Sequence, residues 1–207
     1  PENKSIVSGQ VLQCPYDFQK ARLVVREMAD ALALDLVDKG LVTNQLVLTV
    51  GYDRENLDDP SRAAQYKGPV TADRYGRKIP KHAVGTENFP YTSSANDLLK
   101  AVTALYDRIV DKNLLIRRLS ISANRLLDEA SASKEEPAEQ LDLFTDYAAK
   151  EQQEQADKAA HIRERKLQEA MLGIKKRYGK NAILKGMNLE DGATARERNQ
   201  TIGGHQA

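Results

Sequence analysis

The chain has 207 residues, 41% hydrophobic and 29% charged, with a formal net charge of +1. That length holds one domain with room for an appendage, and the polar balance suggests a folded part diluted by a solvated one. A single cysteine, Cys14, excludes an internal disulfide framework and fits a reducing compartment. No apolar run reaches the ~18 residues of a membrane span, and no signal-peptide pattern opens the sequence.

The first 128 residues read as alternating elements. Lys4–Leu12 carries β-branched residues between polar ones and predicts a strand ending before Pro15. From Asp17 the period changes to that of a helix. Phe18, Ala21, Val24/Val25, Met28, Leu32 and Leu36 form one stripe, with Asp17 as N-cap and Lys39–Gly40 as the stop. Asn44–Asp53 alternates again, with Leu46, Leu48 and Val50 on one face and Val47, Thr49 and Gly51 on the other. Residues 54–80 are rich in Asp, Arg, Lys, Gly and Pro and read as a long loop. Lys81–Phe89 is a further strand, closed by Pro90. The next helix opens at Ser94–Asp97, a candidate capping box, and carries Leu98/Leu99, Val102, Leu105 and Ile109 as its stripe. The last strand sets Leu119 and Ile121 against Arg118, Ser120 and Ser122.

Strand, helix, strand, strand, helix, strand is the order of a split βαβ arrangement. It predicts an α+β domain, a four-stranded, mainly antiparallel sheet with two helices on one face. Helices on one face leave the other to water or a ligand. Val47, Thr49, Arg118, Ser120 and Ser122 are predicted there, a small, hydroxylated or basic surface without large apolar groups. Hydroxyls, exposed strand N–H groups and Arg all donate to phosphate oxygens, although a solvent-facing sheet is polar in any case.

No nucleotide-phosphate loop is visible, neither G-x-x-x-x-G-K-[ST] nor G-x-G-x-x-G. His82, His161 and His205 lack metal-ligand spacing, and the Asp58–Asp59 pair lies in a polar turn. The residues present no catalytic constellation and no metal site.

"ENKSIVSGQVL", "DFQKARLVVREMADALALDLVDKGLV", "QLVLTVGYD" and "LIRRLSISANRLLDE", in this order, resemble the little-finger domain of Y-family translesion DNA polymerases. The likeness is to the Gram-positive UV-damage-repair and mutagenesis branch, and "RYGKNAILKGMNLEDGATARERNQTIGGHQA" is similar to that branch's tail. The resemblance implies a C-terminal fragment, itself not catalytic, of an error-prone lesion-bypass polymerase. Magnesium and the catalytic carboxylates would belong to a palm domain that nothing here matches. It further implies a bacterial cytoplasmic protein acting in DNA repair. Phosphates of a duplex primer-template would meet Lys4, Ser5, Ser8, Lys81, His82, Thr86, Arg117, Arg118 and Ser120. These residues would position the backbone and not read bases. An interaction module of ferredoxin-like fold, without DNA binding, is the alternative.

Beyond residue 128 the charge is segregated. Residues 129–157 hold nine Asp/Glu against two Lys/Arg, and residues 158–185 hold nine Lys/Arg against two Glu. Such blocks either serve partners, pair with each other or are solvated helix faces. Within the acidic linker, 129–147, stands "QLDLF". The family resemblance makes Gln140, Leu141, Leu143 and Phe144 a sliding-clamp-binding peptide; otherwise the same apolar trio starts a helix packed on the domain. Residues 148–178 predict a basic amphipathic helix with Leu167, Met171, Ile174 and Tyr178 as its stripe, open to a regulatory subunit, another domain or a second copy. The Gly-rich, polar segment 179–207 predicts a flexible tail.

Overall fold

The structure is a computed structural model that describes residues 5–132, 147–202 and 205–206. Its elements are β1 (Ile6–Tyr16), α1 (Phe18–Lys39), β2 (Leu41–Tyr52), α2 (Glu55–Asp58), α3 (Pro60–Gln65), β3 (Val70–Ala72), β4 (Lys78–Pro80), β5 (Ala83–Thr92), α4 (Ala95–Ile109) and β6 (Ile116–Asn124). Then follow β7 (Leu127–Asp128), α5 (Glu129–Ala132), α6 (Tyr147–Tyr178), a 3-10 turn (Gly186–Leu189), α7 (Ala195–Arg198) and a short β8–β9 pair (Thr201–Ile202, His205–Gln206). Among the described residues no helix is long and apolar enough to cross a membrane.

The main sheet runs β1-β6-β2-β5, and every pairing is antiparallel. The two helical crossovers interleave. Strands β1 and β2, joined by α1, flank β6, while β5 and β6, joined by α4, flank β2. Both helices cover one face, where Leu46, Leu48, Val50, Leu119, Ile121 and Ala123 meet Val24, Met28, Leu98, Val102 and Leu105 in one core. Fully burying one such side chain contributes about 1.5–3 kcal/mol. Gly85 marks how closely α4 approaches, since a Cβ there would lie 2.8 Å from both Ile109 Cγ2 and Leu105 Cδ1.

The predicted caps of α1 are present. Asp17 Oδ1 accepts from Lys20 N at 2.9 Å, and Gly40 closes the helix at φ 64. The capping box of α4 is only half formed. Ser94 Oγ accepts from Asp97 N at 3.2 Å, but the Asp97 carboxylate takes the Thr92 hydroxyl at 2.9 Å. Glu164 of α6 occupies the cap instead, accepting from Ser94 Oγ at 2.7 Å and Asn96 N at 2.9 Å.

Strand β1 continues through Pro15, which an edge strand tolerates because its outer N–H is not needed. Residues 54–80 are not a plain loop, for they form α2, α3 and the β3–β4 hairpin.

The larger correction concerns the C-terminal part. The second half of α6 lies on the domain, but by a face that shares only Met171 with its apolar stripe. Leu167 and Tyr178 are exposed, while Met171 and Gln168 are buried. Gln168 Nε2 donates to Ser93 O at 3.0 Å, and Arg165 forks onto Glu129 at 3.0 and 2.9 Å. Residues 180–199 then fold back along α1 instead of forming a flexible tail. Lys185 pairs with Asp30, Lys176 with Asp38 and Lys20 with Asp191. Glu27, only 2% exposed, accepts from Asn188 Nδ2 at 2.7 Å, Thr194 N at 2.8 Å and Ala195 N at 3.1 Å. At Gly192, φ is +90 and a Cβ would lie 3.0 Å from Lys20 Cγ, so this position both turns and closes tightly on the helix. Polar contacts hold a segment whose composition alone would not bury enough apolar surface to order it.

Candidate functional site

On the face away from the helices, register puts Val7, Gly9 and Val11 of β1 across from Ser122, Ser120 and Arg118 of β6. Ser122, Ser120 and Arg118 in turn face Val47, Thr49 and Gly51 of β2. Thr86 and Val84 of β5 complete the rows beside Val47 and Thr49. No carboxylate stands in these rows, which suits an anionic ligand. Large apolar groups do stand there, contrary to expectation: Val7, Val11 and Val84 are each about 60% exposed. The central strands spend their backbone N–H groups on the ladders, so only the outer edges of β1 and β5 keep donors free.

One end of the face is neutral and internally bonded. Gln45 Nε2 donates to Asn88 Oδ1 at 2.9 Å, Asn124 Nδ2 to Gln45 Oε1 at 3.3 Å, and Ser122 Oγ to Asn124 Oδ1 at 2.7 Å.

The opposite end is basic. Pairing passes from Gly51–Arg118 to Tyr52–Ile116, leaving Arg117 as the extra residue of a β-bulge. Strict alternation would send Arg117 and Arg118 to opposite faces. The bulge brings both to an open groove of about 900 Å³ between the sheet and the β3–β4 hairpin, which Lys81 and His82 also line. Gly51 gives Arg118 its room, as a Cβ there would lie 3.1 Å from Arg118 Cβ and 3.6 Å from His82 Nε2.

The groove's far wall is the hairpin, with Arg74 and Arg77. Its carboxylates are largely engaged. Asp73 holds Arg77 at 2.6 Å, and that bonded guanidinium keeps the Asp73 carboxyl below the usual carboxylate range. Asp58 lies 3.4 Å from Arg54, and Asp53 lies 3.8 Å from Arg117. Arg74, Lys81 and Arg118 form no ion pair among the described residues, so the groove retains an excess of positive charge. Sequence reading missed this wall, because Arg74 and Arg77 sit in what reads as loop and only the hairpin turns them toward the strands. It also missed Asn56, fully buried, which fastens the corner after β2 to the start of β6.

The structure therefore brings together Lys81, His82, Arg117, Arg118, Ser120 and, farther along, Thr86. Ser5 is exposed just before β1. Ser8 is misplaced: it pairs with the buried Ile121, which puts it on the helix-covered face. Lys4 and the peptide residues Gln140, Leu141, Leu143 and Phe144 lie outside the described residues. Among the described residues no group of three or more His, Cys, Asp or Glu is placed to hold a metal ion.

A family model described as "impB/mucB/samB family C-terminal domain" matches residues 3–143, more than half of the chain. The chain belongs to the impB/mucB/samB family. This match bears out the resemblance to a Y-family little-finger domain, and the α+β sheet with helices on one face agrees with it. Among solved structures, one described as "Complex of beta-clamp processivity factor and little finger domain of PolIV" is similar over 69% of this chain and 100% of that one, at 10% identity and a TM-score of 0.39. No curated protein matches.

Proposed function

We propose that this impB/mucB/samB-family domain holds duplex DNA by its phosphate backbone, as the DNA-gripping part of a lesion-bypass polymerase. The observation that carries the reading is the bulge that turns both Arg117 and Arg118 into one groove beside a carboxylate-free sheet face. Two guanidinium groups, Lys81 and the Ser120 hydroxyl offer donors to successive phosphates, while nothing on the face is shaped to read one base. Such contacts suit an enzyme that moves over any sequence. Nucleotide addition is assigned to the palm that the family resemblance implies and not to residues of this chain.

The test is equilibrium binding of labelled duplexes of unrelated sequence. All are expected to bind alike, and Arg118→Ala is expected to weaken all of them alike. Preference for one sequence, or indifference to Arg118→Ala, would contradict the reading.

The exposed Val7, Val11 and Val84 favour a second reading, in which the face meets a protein. Mutating the three valines to Thr would then abolish a partner complex while leaving DNA untouched.

The peptide Gln140–Phe144 is proposed to recruit the sliding clamp, with Leu143 and Phe144 filling an apolar pocket and the Gln140 amide hydrogen-bonding beside it. Leu143→Ala with Phe144→Ala should abolish clamp binding and leave the melting temperature unchanged. A melting temperature that falls with the double change would make the trio part of the core instead.

A further inference from the structure

The β3–β4 hairpin ends in the turn Asp73–Arg77, and this turn is unusually well fixed for an exposed tip. Asp73 Oδ1 accepts from both Tyr75 N at 2.8 Å and Arg77 N at 2.9 Å. Asp73 N donates to Arg77 O at 2.8 Å, and Gly76 takes the positive φ of 76 that the turn needs. Tyr75 stands on this turn 73% exposed, with the Arg77 guanidinium 5.0 Å from its ring centroid. The ring fills no core, and its hydroxyl makes no hydrogen bond among the described residues. On either side of it, Arg74 and Arg77 line the basic groove that runs back to Arg117 and Arg118.

We infer that Tyr75 is a stacking platform for an unpaired base of single-stranded DNA, whose phosphates continue past Arg74 into the groove. The inference rests on the reading of that groove as a DNA backbone site and adds a second ligand class to it. An aromatic face beside a cationic track is what single-strand binding requires, because every base has a π-face and every nucleotide a phosphate. A turn fixed by Asp73 presents the ring already ordered, so less entropy is lost on stacking. Duplex DNA has no unstacked base to offer, and gains nothing from Tyr75.

The experiment compares the full chain with Tyr75→Ala and Tyr75→Phe on three fluorescent probes: a blunt duplex, the same duplex with a single-stranded overhang, and the overhang strand alone. The overhang should tighten binding of the unaltered chain. Tyr75→Ala should cost that probe and the lone strand about tenfold, Tyr75→Phe should keep the gain, and all three chains should bind the blunt duplex equally. Equal weakening of blunt and overhang probes by Tyr75→Ala, or no effect on either, would overturn the stacking site. The Arg118→Ala variant separates the two claims. If it leaves blunt-duplex affinity unchanged the backbone reading fails, whereas the Tyr75 effect on the lone strand still reports stacking.

Discussion

Asn56 and Leu115 exchange two hydrogen bonds across 59 positions of sequence: Asn56 Nδ2 donates to Leu115 O at 2.8 Å, and Leu115 N donates to Asn56 Oδ1 at 2.8 Å. The same amide also donates to Asp53 O at 2.8 Å. This buried side chain imitates a strand partner where the β2–β6 ladder gives out, two residues before Arg117. It gives the Leu115 N–H its acceptor beside the bulge, while Leu115 O also accepts from Asp53 N at 2.8 Å.

Asn56→Ala should therefore cost about 1–3 kcal/mol, because it strands the Leu115 N–H, while Leu115 O and Asp53 O keep the backbone donors Asp53 N and Asn56 N. Urea denaturation reads the loss. At temperatures where the variant is still folded, duplex affinity should fall as well, since the bulge that orients Arg117 loses its anchor. Loss of stability with unchanged affinity would separate Asn56 from the site.

Glu27→Ala should release the C-terminal segment. The change leaves the N–H groups of Thr194 and Ala195 and the Asn188 amide without their shared acceptor. Amide exchange should quicken across residues 185–199 and stay slow in β2 and β6. Glu27→Gln, which keeps one carbonyl acceptor, should show a smaller effect.

The Arg22 fork onto Asp107, at 2.7 and 2.8 Å, ties α1 to α4. The bonded guanidinium lowers the Asp107 pKa in the folded protein. A carboxyl with a depressed folded pKa stabilises above its unfolded value and loses that contribution as the pH falls through the folded one. The loss thus belongs below about pH 4. Both side chains are partly exposed, so the effect should be small. Thermal melts from neutral to acid pH should show a shallower decline in Asp107→Asn than in the unaltered chain.

The helix α1 and the strands β2 and β6 were legible because their apolar spacing is set by burial against one core. Face assignment on β1 was not, because the phase that carries the polar Ser8 and Gln10 is the one that meets the helices, while Val7 and Val11 face out. Only the pairing of Ser8 with Ile121 decides it. The bulge at Arg117 was invisible for a similar reason: it depends on the register between strands, and not on either strand alone. The docked segment 180–199 was misread because it is held by polar contacts to Glu27 and Asp30, more than 150 positions away. One signal did point to it. Leu23 and Leu34 lie outside the stripe of α1 yet are buried, and a helix apolar on its far side needs a cover.

The most direct test of the central claim is the salt dependence of duplex binding by the chain and by its Arg117→Ala/Arg118→Ala variant. If both guanidinium groups meet phosphates, affinity falls steeply with salt, and the double variant binds more weakly with a log–log slope shallower by about two. An identical slope in chain and variant, or duplex affinity indifferent to salt, would contradict it.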